Sequence, residues 1–107
     1  FREARVQEDH LGLQVDFSGC QPEHPWTLYI CGGFMESNPV QVRAVLVHEL
    51  EEECDAAFTR ILPFDLNPLH TAYEMAYGSG TLLIQLVDFQ GQVHTIEYYV
   101  RGKDEGK

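Results

Sequence analysis

Between His10 and Gly19 the chain alternates strictly, with Leu11, Leu13, Val15 and Phe17 set against Gly12, Gln14, Asp16 and Ser18. A period of two marks a strand with one buried face, here over 11–18. The following CQPEHP is a loop, punctuated by Pro22 and Pro25. WTLYICGGF, residues 26–34, predicts a second and more fully buried strand that stops at Gly32-Gly33. At the start, FREARVQEDH is mostly charged and predicts a frayed end or a short edge element.

The clearest pattern is GTLLIQLVDFQGQVHTIEYYVRG, which predicts a hairpin. Leu82, Ile84 and Leu86 want one face, and so do Ile96, Tyr98 and Val100. A two-residue Gln90-Gly91 loop would pair Leu86 with Thr95 and put the two sets on opposite faces. A three-residue loop, Phe89-Gln90-Gly91, pairs Leu86 with His94 and Ile84 with Ile96. It also places Gly91 at the left-handed third position that such loops require. The expected core face is therefore Leu82, Ile84, Leu86, Ile96, Tyr98 and Val100. Leu83, Gln85, Val87, Thr95, Glu97 and Tyr99 form the outer face.

The middle supports two readings. VQVRAVLV is rich in β-branched residues and reads as a strand, Val40–Val47, followed by an acidic connector and a strand over 58–64. Asn38-Pro39 is also a good helix start, and Val47, Leu50, Cys54, Ala57 and Ile61 recur at helical spacing. That alternative is a helix from Pro39 to about Ala57. Asn67-Pro68 opens a stretch with the same ambiguity, in which 72–77 has strand-like character. There is no internal repeat or linker, so residues 1–107 form a single domain, with 1–10 and 101–107 as frayed ends.

Charge narrows the partners. Seventeen acids against seven bases give a net charge of −10, which repels phosphate backbones and anionic lipid and favours a basic protein partner. Neither nucleic acid nor membrane is expected. Cys20, Cys31 and Cys54 make neither an even framework nor a C-x-x-C pair; a sparse odd set suits a reducing, intracellular setting, while leaving room for one bridge and one free thiol. Cys31, in an apolar run, is expected in the core.

VHELEEECDAAF concentrates the candidate chemistry. His48-Glu49 invites comparison with the zinc motif H-E-x-x-H, but Glu52 stands where the second His belongs. His48 and Glu52 could share a metal with His70 or His94, a metal-enzyme alternative. Three glutamates before Cys54 argue against a reactive thiolate there. No phosphate-cradling glycine loop and no nucleophile elbow occurs, so no catalytic residue, metal or other cofactor is expected. The useful clue is the outer hairpin face. Leu83, Val87 and Tyr99, edged by Glu97 and joined by Glu51, Glu52 and Glu53, predict an apolar patch in an acidic field that binds a protein.

Two family outlines fit these residues. LGLQVDF, Trp26 with Gly32, QV and VLV within 41–47, Asn67-Pro68, and GQ followed by YYV between Gly91 and Val100 resemble the anti-silencing histone chaperones. That resemblance implies an acidic immunoglobulin-like sandwich binding histones H3 and H4, with Leu83 and Tyr99 near the histone-contacting positions. The chain departs from the family at Thr95, where an Arg is usual, and at Asn38-Pro39, where an acid precedes QV. The segment Leu13–Asp65 also resembles the Rubisco small subunit, through WTLYICGGF, SNP opening a helix, and CDAAFTRILPFD as a returning strand. There Ile30-Cys31-Gly32-Gly33 replaces the usual W-x-L-P. This second outline implies a structural component of a larger enzyme.

Strand-like runs at 11–18, 26–34, 40–47, 58–64, 72–77, 81–88 and 93–100 come at the spacing of an all-β, immunoglobulin-like antiparallel sandwich of about seven strands. The alternative fold is α+β, a four-stranded antiparallel sheet with one or two helices. The expected function is a non-catalytic, intracellular interaction module, histone-chaperone-like, that holds a basic protein. Its oligomeric state is left open.

Overall fold

A computed structural model of the chain describes residues 3–21, 25–49 and 54–101. Its elements are β1 (Glu3–Gln7), β2 (His10–Gly19), β3 (Trp26–Met35), β4 (Val40–His48), β5 (Ala56–Asp65), α1 (Asn67–Tyr77), β6 (Gly80–Val87) and β7 (Val93–Val100). The strands form a three-stranded sheet, β1-β2-β5, and a four-stranded sheet, β3-β4-β6-β7. The described residues are therefore mostly β, with one short helix and a two-sheet, sandwich-like architecture. All pairings are antiparallel except β4–β6, which is parallel and departs from the purely antiparallel expectation. The reason is the route taken: after β4 the chain crosses to the other sheet as β5 and returns through α1, so β6 enters from the same end as β4.

The inner faces carry the core. Leu11, Leu13 and Val15 of β2 are fully buried, and Leu82, Ile84 and Leu86 of β6 face them with Val42, Ala44 and Leu46 of β4. Burying each Leu this completely contributes about 1.5–3 kcal/mol before entropy is counted. At one end the two sheets meet through aromatics. Phe17 lies edge-on to Trp26 at 5.5 Å between ring centroids, and Trp26 stacks on His48 at 4.2 Å.

The hairpin has the expected register, with Ile84 opposite Ile96 and Leu86 opposite His94. The Asp88 amide donates to the Gln92 carbonyl at 2.8 Å, and Gly91 has φ 84°, closing the loop at Phe89–Gly91. All six residues of the expected core face are at most 7% exposed. Val40–His48 is a strand, so the helix from Pro39 to Ala57 does not form, and neither does the α+β arrangement that needed it. Residues 3–7, read as a frayed end or an edge element, form the edge strand β1.

Three expectations need correction. Residues 72–77 are helical, not a strand. Pro68 sits in the first turn, the Asp65 carboxylate accepts from the Asn67 amide at 2.9 Å, and Leu69 and Tyr73, four apart, bury one side. The helix ends at Gly78, whose amide donates to the Glu74 carbonyl at 2.9 Å. Secondly, β3 is not the more buried strand. It is an edge, paired among the described residues only with β4, and residues 29–33 are all exposed. Cys31 is accordingly an exposed free thiol and not a core residue. Thirdly, Cys20 and Cys54 form a disulfide with Cα atoms 4.8 Å apart. It joins the end of β2 to the start of β5, where the chain leaves the three-stranded sheet and where it returns. With two of the three cysteines bridged, the thiol count no longer favours a reducing compartment.

Candidate protein-interaction face

The four-stranded sheet has one face on the core and one facing away. Register decides which residues share the outer face. Tyr29 pairs with Val45, Val45 with Val87, and Val87 with Val93, giving an apolar row that crosses all four strands. Tyr29 is 49% and Val93 62% exposed, while Val45 and Val87 are half-buried between neighbours. The next row is polar: Cys31, Arg43, Gln85 and Thr95. Here the Thr95 hydroxyl donates to Gln85 Oε1 at 2.7 Å, and Gln85 Nε2 donates to Gln41 Oε1 at 2.9 Å. A third row holds Met35, Gln41, Leu83 and Glu97, followed by Thr81 beside Tyr99.

Leu83, Val87, Glu97 and Tyr99 therefore share one face, as the hairpin pattern required. Leu83 and Glu97 are direct cross-strand neighbours; Tyr99 is 51% exposed. The polar row separates Val87 from Leu83 and Tyr99, so the face carries two apolar strips with Arg43 exposed between them. Glu51, Glu52 and Glu53 lie outside the described residues. Glu49, just before them, accepts a hydrogen bond from the Tyr29 hydroxyl at 3.3 Å, which ties an acid to the edge of the first strip. Tyr29, Met35, Val45, Val47 and Val93 complete the face and were not among the expected residues. The alternation in β4 contained the signal for Val45 and Val47, but only the strand order brings them beside Val87.

His48 and His70 lie at opposite ends of the fold. His48, at the aromatic end, is stacked on Trp26 and 6.0 Å from Phe89 between centroids. His70 sits at the opposite end, in α1, beside the β1–β2 turn. The two cannot share a metal ion, and among the described residues no group of three or more His, Cys, Asp and Glu side chains converges on one point.

His70 and His94 each meet a carboxylate. His70 Nδ1 is 2.7 Å from Asp9 Oδ1 and its Nε2 is 2.8 Å from the Arg101 carbonyl. Both ring nitrogens face acceptors, an arrangement that only the doubly protonated imidazolium satisfies with two donors. The Asp9 hydrogen bond raises the His70 pKa and outweighs the opposing effect of burial. The Tyr98 hydroxyl donates to Asp9 at 2.6 Å; this bond and the one from His70 lower the Asp9 pKa. Burial first, then Asp9, pushes the Tyr98 phenol up. At the other end Asp88, 3% exposed, accepts from the Gln90 and Gln92 amides at 2.9 and 3.0 Å and meets His94 Nε2 at 2.6 Å. Burial pushes the Asp88 pKa up, but the hydrogen bonds from His94, Gln92 and Gln90 outweigh it and the pKa falls. Each cluster joins elements of the fold: the first ties α1 to the β1–β2 turn and the end of β7, the second closes the hairpin.

What fold and surface define together is a two-sheet β-sandwich with an outer face of apolar strips rimmed by acids. No protein-family model, curated protein or solved structure matches the chain. No helix among the described residues is long and apolar enough to cross a membrane.

Proposed function

We propose that this protein is a non-catalytic interaction module that holds a basic protein segment against the outer face of the β3-β4-β6-β7 sheet. The observation that carries the reading is the apolar row Tyr29–Val45–Val87–Val93, exposed at its two ends and half-buried between them, across four strands of a chain with net charge −10. Tyr29, Val93 and Tyr99 supply apolar anchors, Glu49 and Glu97 supply acidic rim groups, and the overall charge steers a basic partner and makes its binding salt-sensitive. Arg43, between the strips, favours a partner that also presents an acid or a backbone carbonyl there.

The histone-chaperone resemblance makes the H3–H4 pair the basic protein to try first. The immunoglobulin-like assignment belongs to the same reading. Facing sheets of three and four strands support it, and the parallel β4–β6 pair is the feature it must accommodate. The intracellular setting follows only from such a partner, since the Cys20–Cys54 bridge favours an oxidising one.

The test is a titration of H3–H4 into the protein by fluorescence anisotropy at low and high ionic strength, with Leu83→Ser/Tyr99→Ser alongside. Binding that weakens with salt and falls at least about tenfold in the double variant, roughly 1.4 kcal/mol, is the expected result. Equal binding by this folded variant and by folded Tyr29→Ser/Val93→Ser, which removes the exposed ends of the first row, refutes the face.

A further inference from the structure

We infer that β3 is an open pairing edge, and that its occupant is β3 of a second copy of this chain, giving a continuous eight-stranded sheet across a two-fold axis. Two observations point there independently. The first is the chemistry of the strand. β3 reads WTLYICGGFM, ten residues with no charge and no proline, and no described strand pairs with its outer side. Edges left unpaired in folded proteins are normally blunted by charge, proline or shortness. The other edges here follow that rule: β1 has five residues including Glu3 and Arg5, β5 contains Arg60 and Pro63, and β7 contains Glu97. The only such device in β3 is the irregularity between Cys31 and Met35, which leaves Trp26–Cys31 regular.

The second observation is Ile30. It pairs with Ala44, which is 0% exposed on the core side of β4, so the Ile30 side chain points inward; yet Ile30 is 44% exposed. An inward residue left this open marks a layer that ends one strand too early. A further strand alongside β3 supplies the missing cover and pairs the row of amides and carbonyls that no described strand reaches.

The chemistry of the edge selects a second copy over a basic peptide. β3 itself carries no acid, and Glu49 beside it is already engaged by the Tyr29 hydroxyl, so a cationic strand finds little to pair with there, whereas the segment's own apolar residues match one another. Residues paired across an antiparallel ladder share a face. If the outer face is to remain outer in both copies, the two-fold must pass through one residue, within Leu28–Cys31. Tyr29, Ile30 and their counterparts then cover each other.

The test is sedimentation equilibrium of the oxidised full chain across ionic strengths. Salt screens the repulsion between two copies of net charge −10, so self-association is expected to strengthen with salt. Binding of a basic protein to the outer face has the opposite salt dependence, so the two ideas fail separately. Ile30→Lys and Tyr29→Lys, both at exposed positions, are expected to weaken association at least about tenfold with circular dichroism unchanged. Single cysteines at 28, 29, 30 and 31, with Cys31→Ser in the first three, scan the axis. On addition of oxidised glutathione, two thiols lose their protons and two electrons to that disulfide, releasing two glutathione thiols, and one position links covalently into a dimer. Cysteine at Ser79, in the Cys31→Ser background, is the control, exposed and next to Gly80, five residues along β6 from the Gln85 level of Cys31. A chain that stays monomeric at every salt concentration overturns the inference. So does a dimer that persists undiminished in both Lys variants, or a scan in which no β3 position links faster than Ser79→Cys.

Discussion

Replacing Cys20 and Cys54 together by Ser removes a cross-link between residues 34 apart in sequence. The closed loop holds β3 and β4, half of the four-stranded sheet, while its ends lie side by side in the other sheet. In the chain-entropy account, closing a loop of that length costs the unfolded ensemble about 12–13 cal/mol/K, worth about 3.8 kcal/mol at 25 °C. An unfolding entropy of about 2.1 cal/mol/K per residue then converts the loss into a fall in Tm of about 17 °C. The assay is thermal unfolding by circular dichroism of the oxidised protein, the reduced protein and the double Ser variant. Thiol titration runs in parallel: the native oxidised protein has one reactive thiol, Cys31, and three after reduction. The reduced protein and the variant should melt together, well below the oxidised form. A Tm that moves by less than about 4 °C, roughly 1 kcal/mol, while three thiols are titrated, would show that the bridge does not constrain the unfolded chain as argued.

Asp88→Ala leaves the Gln90 and Gln92 amides and His94 without their shared acceptor. It should cost about 2–4 kcal/mol by denaturant unfolding, and a loss under 1 kcal/mol would mean that water replaces the carboxylate at the turn. A raised His70 pKa stabilises the fold fully below the ordinary value of 6.5 and loses that contribution as pH rises through the folded value. A lowered Asp9 pKa stabilises it above the ordinary 3.8, with loss as pH falls through the folded value. Stability should therefore be greatest between these limits. His70→Gln should flatten the alkaline side of a Tm–pH curve, and an unchanged curve would remove His70 from the account.

The hairpin was legible because everything that determines it is local. Two apolar triplets, a period of two and one glycine at the left-handed position admit a single register, and β6 and β7 adopt it. β2 was legible for the same reason. α1 was not, because only Leu69 and Tyr73 are buried, too few to establish a helical period, while Thr71, Tyr73 and Tyr77 carry strand propensity. β3 misled through composition. A run such as WTLYIC reads as buried unless the strand order is known, and strand order depends on pairings between distant segments. The same non-local pairing, β4 parallel to β6, assembles the outer face, so Leu83, Val87, Glu97 and Tyr99 were visible in the sequence while Tyr29, Val45 and Val93 were not. Of the three ways to pair three cysteines, the sequence favoured none; β2 and β5 had to be neighbours before Cys20 and Cys54 could be.

Tyr29 belongs to both proposed surfaces, at the end of the apolar row and on the open edge of β3. Pairing of β3 edges would not consume the outer face; it would extend it, because the two-fold stands perpendicular to the sheet. With the axis at Tyr29 the rows of the two copies meet there, and the strip running from Val93 to Tyr29 continues into its counterpart. A basic partner long enough to cross that junction would engage two acidic modules at once and gain from their proximity without any new contact. Its presence would also screen the repulsion between the copies, so partner binding and self-pairing should reinforce each other. Adding H3–H4 to Tyr29→Lys separates the effects. A loss of affinity no larger than the loss of self-association explains places Tyr29 on the edge alone, whereas a larger loss, persisting at concentrations where the wild type is monomeric, places it in the partner's footprint as well.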